Sequence, residues 1–218
     1  MRPIFFALLC TISVALPSLA PAQDAAKDLS VAAQKECDAG RIAKPLDGRR
    51  AHFERSVALA ERALAIDDQV AAAHFALFCA VGEQIRLDGE TFSPLKAFGF
   101  RRMMRALDRT LELEPAHLDA QSAKGTLLVR LPALLGGDRP KGEAMLRRVI
   151  DEFPRSINAR LALAKSYAAH GNRQEATTLA ADAMRFALAD QREDLLPEAQ
   201  DTLRTLHPSH PLLSTAHR

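Results

Sequence analysis

Few side chains in this 218-residue sequence stand where they could carry out covalent chemistry. Cys37 and Cys79 are the two thiols beyond the first two dozen residues, and Cys10 lies in an apolar run near the start. In an oxidising compartment, two cysteines allow one intramolecular disulfide; otherwise they are two buried thiols acting as small hydrophobes. Both outcomes fit the sequence, and a bridge closing about 42 residues would contribute roughly 3–4 kcal/mol in the chain-entropy model. His207, His210 and His217 could approach a metal, but two of them flank prolines and no neighbouring groups would orient them. No metal site is expected. The acidic pairs Asp67-Asp68 and Asp151-Glu152 fall at predicted helix ends, where no pocket surrounds them for acid–base work. Gly-x-Ser-x-Gly, a glycine-rich phosphate loop, His-Glu-x-x-His and Cys-x-x-Cys are all missing. The expectation is a non-enzyme with no catalytic residues and no cofactor.

Composition narrows the classes further. Hydrophobic residues make up 48% and charged residues 26%, which is globular rather than disordered. Aromatics are 5%, with no Trp and one Tyr, so a stacking surface for single-stranded nucleic acid is excluded and the core must be Ala, Leu, Val and Phe. A formal charge of +2 gives no bulk attraction for nucleic acid, and none is expected as a partner.

The start of the chain reads as an address. Met1-Arg2 is a short positive segment, Ile4 to Leu16 is apolar, and Leu19-Ala20-Pro21-Ala22-Gln23 offers small residues. That is the order of a secretory signal. Residues 1–23 are therefore expected to be a Sec-type signal peptide, cut after Ala20, Ala22 or Gln23, leaving a periplasmic or secreted chain. No later stretch approaches the ~18 apolar residues of a bilayer-spanning helix, so no membrane insertion is expected after cleavage.

The elements that must position everything else are helices. Apolar residues recur at three- and four-residue steps: Phe53, Val57, Ala60 and Leu64, then Met103, Leu107 and Leu111, then Leu146, Val149, Ile150 and Phe153. Pro115 and Pro154 close similar phrases, and Leu64-Ala65-Ile66-Asp67-Asp68 occupies the same place earlier. Proline stops a helix because it lacks an amide hydrogen and clashes with the preceding turn. An Ala-rich helix follows each stop. In Ile157–Leu188, Leu163-Ala164, Tyr167, Gly171, Ala176 and Ala183 stand at the small and large positions of a helix–turn–helix repeat. Small residues there let paired helices approach, and Gly171 permits a left-handed turn.

These residues resemble the tetratricopeptide repeat (TPR), a unit of about 34 residues, over roughly residues 50–190. The resemblance implies an all-α, TPR-like right-handed solenoid of about three to four repeats plus a capping helix. Residues 24–206 form that domain, with Gln191–Leu206 as the cap and 207–218 as a flexible C-terminal tail. Asp24–Gly40 is expected to open the array and Ala51–Ile66 to pair with it across the linker 42–48.

Two units run long. Pro115 to Pro154 spans 39 residues, five over the period, and the surplus falls in Leu131–Asp138. Gly136-Gly137 supplies backbone freedom there and Asp138 is suited to cap the next helix. The phrase is similar to one in the T-component of TRAP (tripartite ATP-independent periplasmic) transporters, TPR-like proteins that associate with a solute-binding protein. It is similar also to repeats of regulators of microtubule dynamics. A surplus of thirteen lies between Val81 and Met103, around Phe92, Phe98 and Phe100, and is expected to pack on the repeat core. Arg101, Arg102 and Arg105 follow it as a solvated face.

Such arrays bind extended peptides along a groove lined by the first helix of each repeat. The resemblance therefore implies partner-binding positions at Asn158, Leu161 and Lys165, at Thr126 and Arg130 one repeat earlier, and at Phe75 before that. The expected function is a secreted, periplasmic, non-catalytic protein–protein interaction module or adaptor. The alternative is a small-ligand-handling accessory of a TRAP-type system, whose partner would be a periplasmic solute-binding protein.

Overall fold

The computed structural model of the chain describes residues 20–89 and 94–215. The expected signal segment up to Leu19, Phe92 and His217 lie outside them. Among the described residues there are ten α-helices, one short 3-10 turn and no strand. Four antiparallel hairpins follow one another: α1 (Ala20–Ile42) with α2 (Leu46–Ile66), α3 (Ala71–Leu87) with α4 (Pro94–Leu113), α5 (Leu118–Arg130) with α6 (Arg139–Glu152), and α7 (Ile157–Ala169) with α8 (Arg173–Ala189). The helices α9 (Leu196–Leu206) and α10 (Leu212–Thr215) close the end. The architecture is an all-α helical repeat, as the periodicity indicates.

The stops fall where the sequence places them. α4 ends two residues before Pro115 and α6 two before Pro154, and the Asp67 N–H closes the end of α2 on the Ala63 carbonyl at 2.9 Å. Gly171 adopts φ +85° between α7 and α8, and the Asn172 N–H returns to the Tyr167 carbonyl at 2.9 Å. Only a residue tolerant of the left-handed region fits there at no steric cost. Asp138 caps α6 by accepting the Lys141 N–H at 3.1 Å. Asp138→Ala is expected to cost about 1 kcal/mol, a fall of roughly 2–4 °C in thermal midpoint. An unchanged melting curve would contradict that role.

Alanine-rich interfaces hold the hairpins together. Ala164, Ala176, Ala180 and Ala183 are fully buried against Leu161, Met184 and Leu203, so α7, α8 and α9 share one core. In the third hairpin the helices cross at Gly125 and Gly142, with Leu146 fully buried beside them. Side-chain hydrogen bonds add to the ties. Ser56 Oγ donates to the Ala33 carbonyl at 2.7 Å between α2 and α1, and Ser166 Oγ donates to buried Glu143 at 2.7 Å between α7 and α6. The seam between α4 and α5 is the most sparsely packed junction between successive hairpins. Leu127 leaning on the second hairpin's core, Lys124 paired with Asp108 at 2.6 Å, and the tilted ring contact of Phe75 with His117 hold it together.

Some boundaries differ from the sequence expectation. The linker before α2 shrinks to Ala43–Pro45, because Leu46–Arg50 continue the helix. The helices flanking the thirteen-residue surplus are long, α3 running to Leu87 and α4 beginning at Pro94, and residues 90–93 lie outside those described. Phe100 packs with Leu77, Val81, Met103 and Ala106, whereas Phe98 stays exposed. Arg102 pairs with Glu61, while Arg101 and Arg105 face solvent. The cap is shorter, beginning at Leu196 after a turn over 190–195. Beyond His207, expected to be loose, Leu212 and Leu213 lie against the last core.

Candidate functional site

The first helices α1, α3, α5 and α7 line a single open groove of about 1280 Å³, and the α8–α9 turn with the start of α9 completes its far end. All six positions implied by the repeat register line it: Phe75 on α3, Thr126 and Arg130 on α5, and Asn158, Leu161 and Lys165 on α7. The spacing explains the convergence. Residues three or four apart share a helix face, and parallel first helices turn that face the same way.

Their roles within the groove differ. Phe75 is half-buried, with its ring 5.8 Å from Phe78 and 4.6 Å from the His117 ring. Leu161 is 2% exposed, so it is floor rather than a free contact. Thr126 Oγ1 donates to the Ser122 carbonyl at 2.8 Å, which leaves its lone pairs open. Asn158 and Arg130 are exposed and have no hydrogen-bond or ionic partner among the described residues. Lys165 is already engaged, its Nζ lying 2.5 Å from Glu198 Oε1 on α9. Of the polar positions among them, Asn158 and Arg130 are therefore open, whereas Lys165 must first give up an ion pair.

The N-terminal wall was not among the expected groove positions. α1 contributes Val31 and Ile42, both more than half exposed, together with Gln34, Asp38 and Arg41. Reading α1 as a first helix and marking every third or fourth residue would have found them. At the other end Arg192 and Asp194 form a two-point ion pair at 2.8 and 2.7 Å. The hydrogen bond from Arg192 holds the Asp194 carboxyl below the usual carboxylate range. No repeat signal marks this turn, because the curvature of the array brings it to the groove. Five basic and five acidic side chains line the groove, leaving no net charge to select an occupant. Gln34 Oε1 on α1 and Ser122 Oγ on α5 are buried without hydrogen-bond partners among the described residues.

Cys37 and Cys79 come together. They sit in one buried cluster with Phe53 and Ala80, between α1 and α3, as free thiols. The other candidates for chemistry have local structural partners. Asp67 and Asp68 accept from the backbone N–H and side-chain amide of Gln69, at 2.9 and 2.6 Å, and Glu152 pairs with Arg148 at 2.7 Å. Among the described residues no group of three or more His, Cys, Asp or Glu side chains could hold a metal. His207 and His210 stack edge to face, with ring centroids 5.5 Å apart.

A groove lined by the first helices of stacked hairpins defines a helical-repeat protein of TPR-like fold. Two solved structures are similar to the chain. TTC0263, a thermophilic TPR protein of Thermus thermophilus, has a TM-score of 0.50 at 17% identity, over 85% of this chain and 99% of its own. YrrB, described as a TPR protein with an unusual peptide-binding site, has a TM-score of 0.42 at 19% identity, over 77% and 84%. No protein-family model matches the sequence, and no curated protein matches it. Among the described residues no helix is long and apolar enough to cross a membrane.

Proposed function

We propose that this chain is an exported, periplasmic or secreted, non-catalytic adaptor whose groove holds an extended, apolar-rich stretch of a partner protein. The observation that carries the reading is the convergence of exposed Val31 and Ile42 on α1 and half-buried Phe75 on α3 with open polar groups on α5 and α7 in one groove. Four first helices spaced by about 10 Å give a floor about 30 Å long, room for roughly nine extended residues. Phe75, Val31 and Ile42 offer apolar contact; Asn158 and Arg130 offer donors to carbonyls of the bound chain. The neutral balance of charge disfavours a strongly acidic or basic segment.

The transport-accessory alternative calls for an apolar ligand cavity near Phe92–Phe100 and Leu131–Asp138. The groove is lined by none of Phe98, Phe100 and Leu134, and Leu134 is 95% exposed at a turn. That contrast favours the adaptor reading.

Fluorescent decapeptides of graded apolar content, screened by anisotropy against the full chain, test it. Apolar-rich peptides are expected to bind in the micromolar range. Phe75→Ala is expected to weaken them about tenfold, while Arg148→Ala on the exposed outer face leaves them unchanged. The reading fails if no peptide binds below about 1 mM, or if Phe75→Ala makes no difference.

A further inference from the structure

We propose that Cys37 and Cys79 form a thiol–disulfide exchange site opening onto the groove, in which Cys79 accepts a disulfide from an external disulfide-bearing molecule and Cys37 resolves it into a bridge between α1 and α3. The site does not depend on which partner the groove binds.

Three features of the pair carry the assignment. The two thiols share a single buried cluster on helices that pack directly against each other. Their positions are unequal: Cys79 lines the groove with 6% exposure, whereas Cys37 is fully buried and does not line it. A reagent in the groove therefore meets Cys79 first. Beside them Arg41 is held in place, its Nε donating to Glu83 at 3.0 Å and its Nη1 to Asp38 at 3.1 Å.

Electrostatics run in the same direction. The neighbouring Cys37 thiol favours the Cys79 thiolate, and the Arg41 guanidinium lowers its pKa further, against the opposing effects of burial and of Asp38. The adjoining Cys79 and burial push the Cys37 thiol up, so Cys37 keeps its proton. The thiolate is the nucleophile in exchange.

The steps balance. The Cys79 thiolate attacks one sulfur of an external disulfide, forming a mixed disulfide and releasing one thiolate. That released thiolate takes the Cys37 proton. The Cys37 thiolate attacks the Cys79 sulfur, forming the Cys37–Cys79 bond and expelling the second external thiolate. Two protein thiols are oxidised and one external disulfide is reduced to two thiols. The product ties the groove's N-terminal wall to its floor.

The full chain, fully reduced and folded, is incubated with oxidised glutathione, quenched in acid and mapped by mass spectrometry after proteolysis. The expected product is a linked peptide pair containing Cys37 and Cys79, with a thermal midpoint roughly 10 °C above the reduced form. Cys37→Ser is expected to stop at a glutathione adduct on Cys79, and Cys79→Ser to leave Cys37 unmodified while folded. In the reduced wild type, iodoacetamide is expected to label Cys79 about tenfold faster than Cys37. Free thiols persisting under excess oxidised glutathione would overturn the site. Equal labelling, or an adduct on Cys37 in Cys79→Ser, would overturn the order of attack.

Discussion

Phe53→Ala is expected to lower stability by about 3–5 kcal/mol, a fall of roughly 10 °C or more in thermal midpoint for a chain of this size. The ring is fully buried in the cluster that holds Cys37, Cys79 and Ala80, with Val57, Phe75, Phe78 and Leu87 against it. It also fills the space over Gly40, where an added Cβ would stand 2.5 Å from the Phe53 ring. Truncation forfeits the ring's transfer free energy and leaves a cavity. The side chains around it stand on α1, α2 and α3, which cannot close over the space without shifting a hairpin. Urea denaturation and calorimetry measure the loss. A change under about 1 kcal/mol would show that the ring is not packed as described. Because Phe53 underlies the groove's N-terminal wall, the same variant tests whether that wall needs the ring to stay in place.

Gly142→Val is expected to be nearly as costly for the opposite reason. A Cβ at residue 142 would stand 2.7 Å from Val129 Cγ1, 2.8 Å from the Gly125 carbonyl oxygen and 2.9 Å from Leu128 Cβ. One of these is backbone and another the first side-chain carbon, so neither can swing aside. Helix propensity favours valine over glycine by a few tenths of a kcal/mol, far less than the roughly 3 kcal/mol of overpacking at a helix crossing. Sterics win. Separation of α5 from α6 would carry Thr126 and Arg130 out of line with Asn158. The variant should therefore lose peptide affinity as well as thermal stability, and an unchanged midpoint would refute the close crossing.

The local punctuation was legible in the sequence because each signal has a short-range cause. Pro115 and Pro154 end helices whatever surrounds them, Gly171 supplies a left-handed turn, and Asp138 caps the helix that follows it. The groove residues were legible for a related reason: once the repeat register is known, the helical period dictates which face each first helix turns inward. Long-range packing was not legible. The length of α3 and α4 is set by Leu77, Val81, Phe100 and Met103 meeting each other, which no repeat period encodes. The pairing of Lys165 with Glu198 joins helices brought together by the array's end. The docking of Leu212 and Leu213 is another such case, since a segment rich in Pro and His reads as loose until an apolar patch is there to receive two leucines. The α1 wall was within reach of the same register argument that located Phe75.

The uneven spacing of contacts along the stack has a mechanical corollary. In a chain of modules touching only their neighbours, deformation gathers where neighbour contact is least. Here that place is the junction of α4 and α5, midway along the recess, with two well-packed arms on either side. A small rotation at the junction would be magnified by the length of each arm, so the distance from Ile42 to Arg192 would change more than any distance within either arm. Under the proposed reading, the recess is expected to behave like a pair of tongs, stiff along its jaws and compliant at one pivot, its gape following the thickness of an occupant.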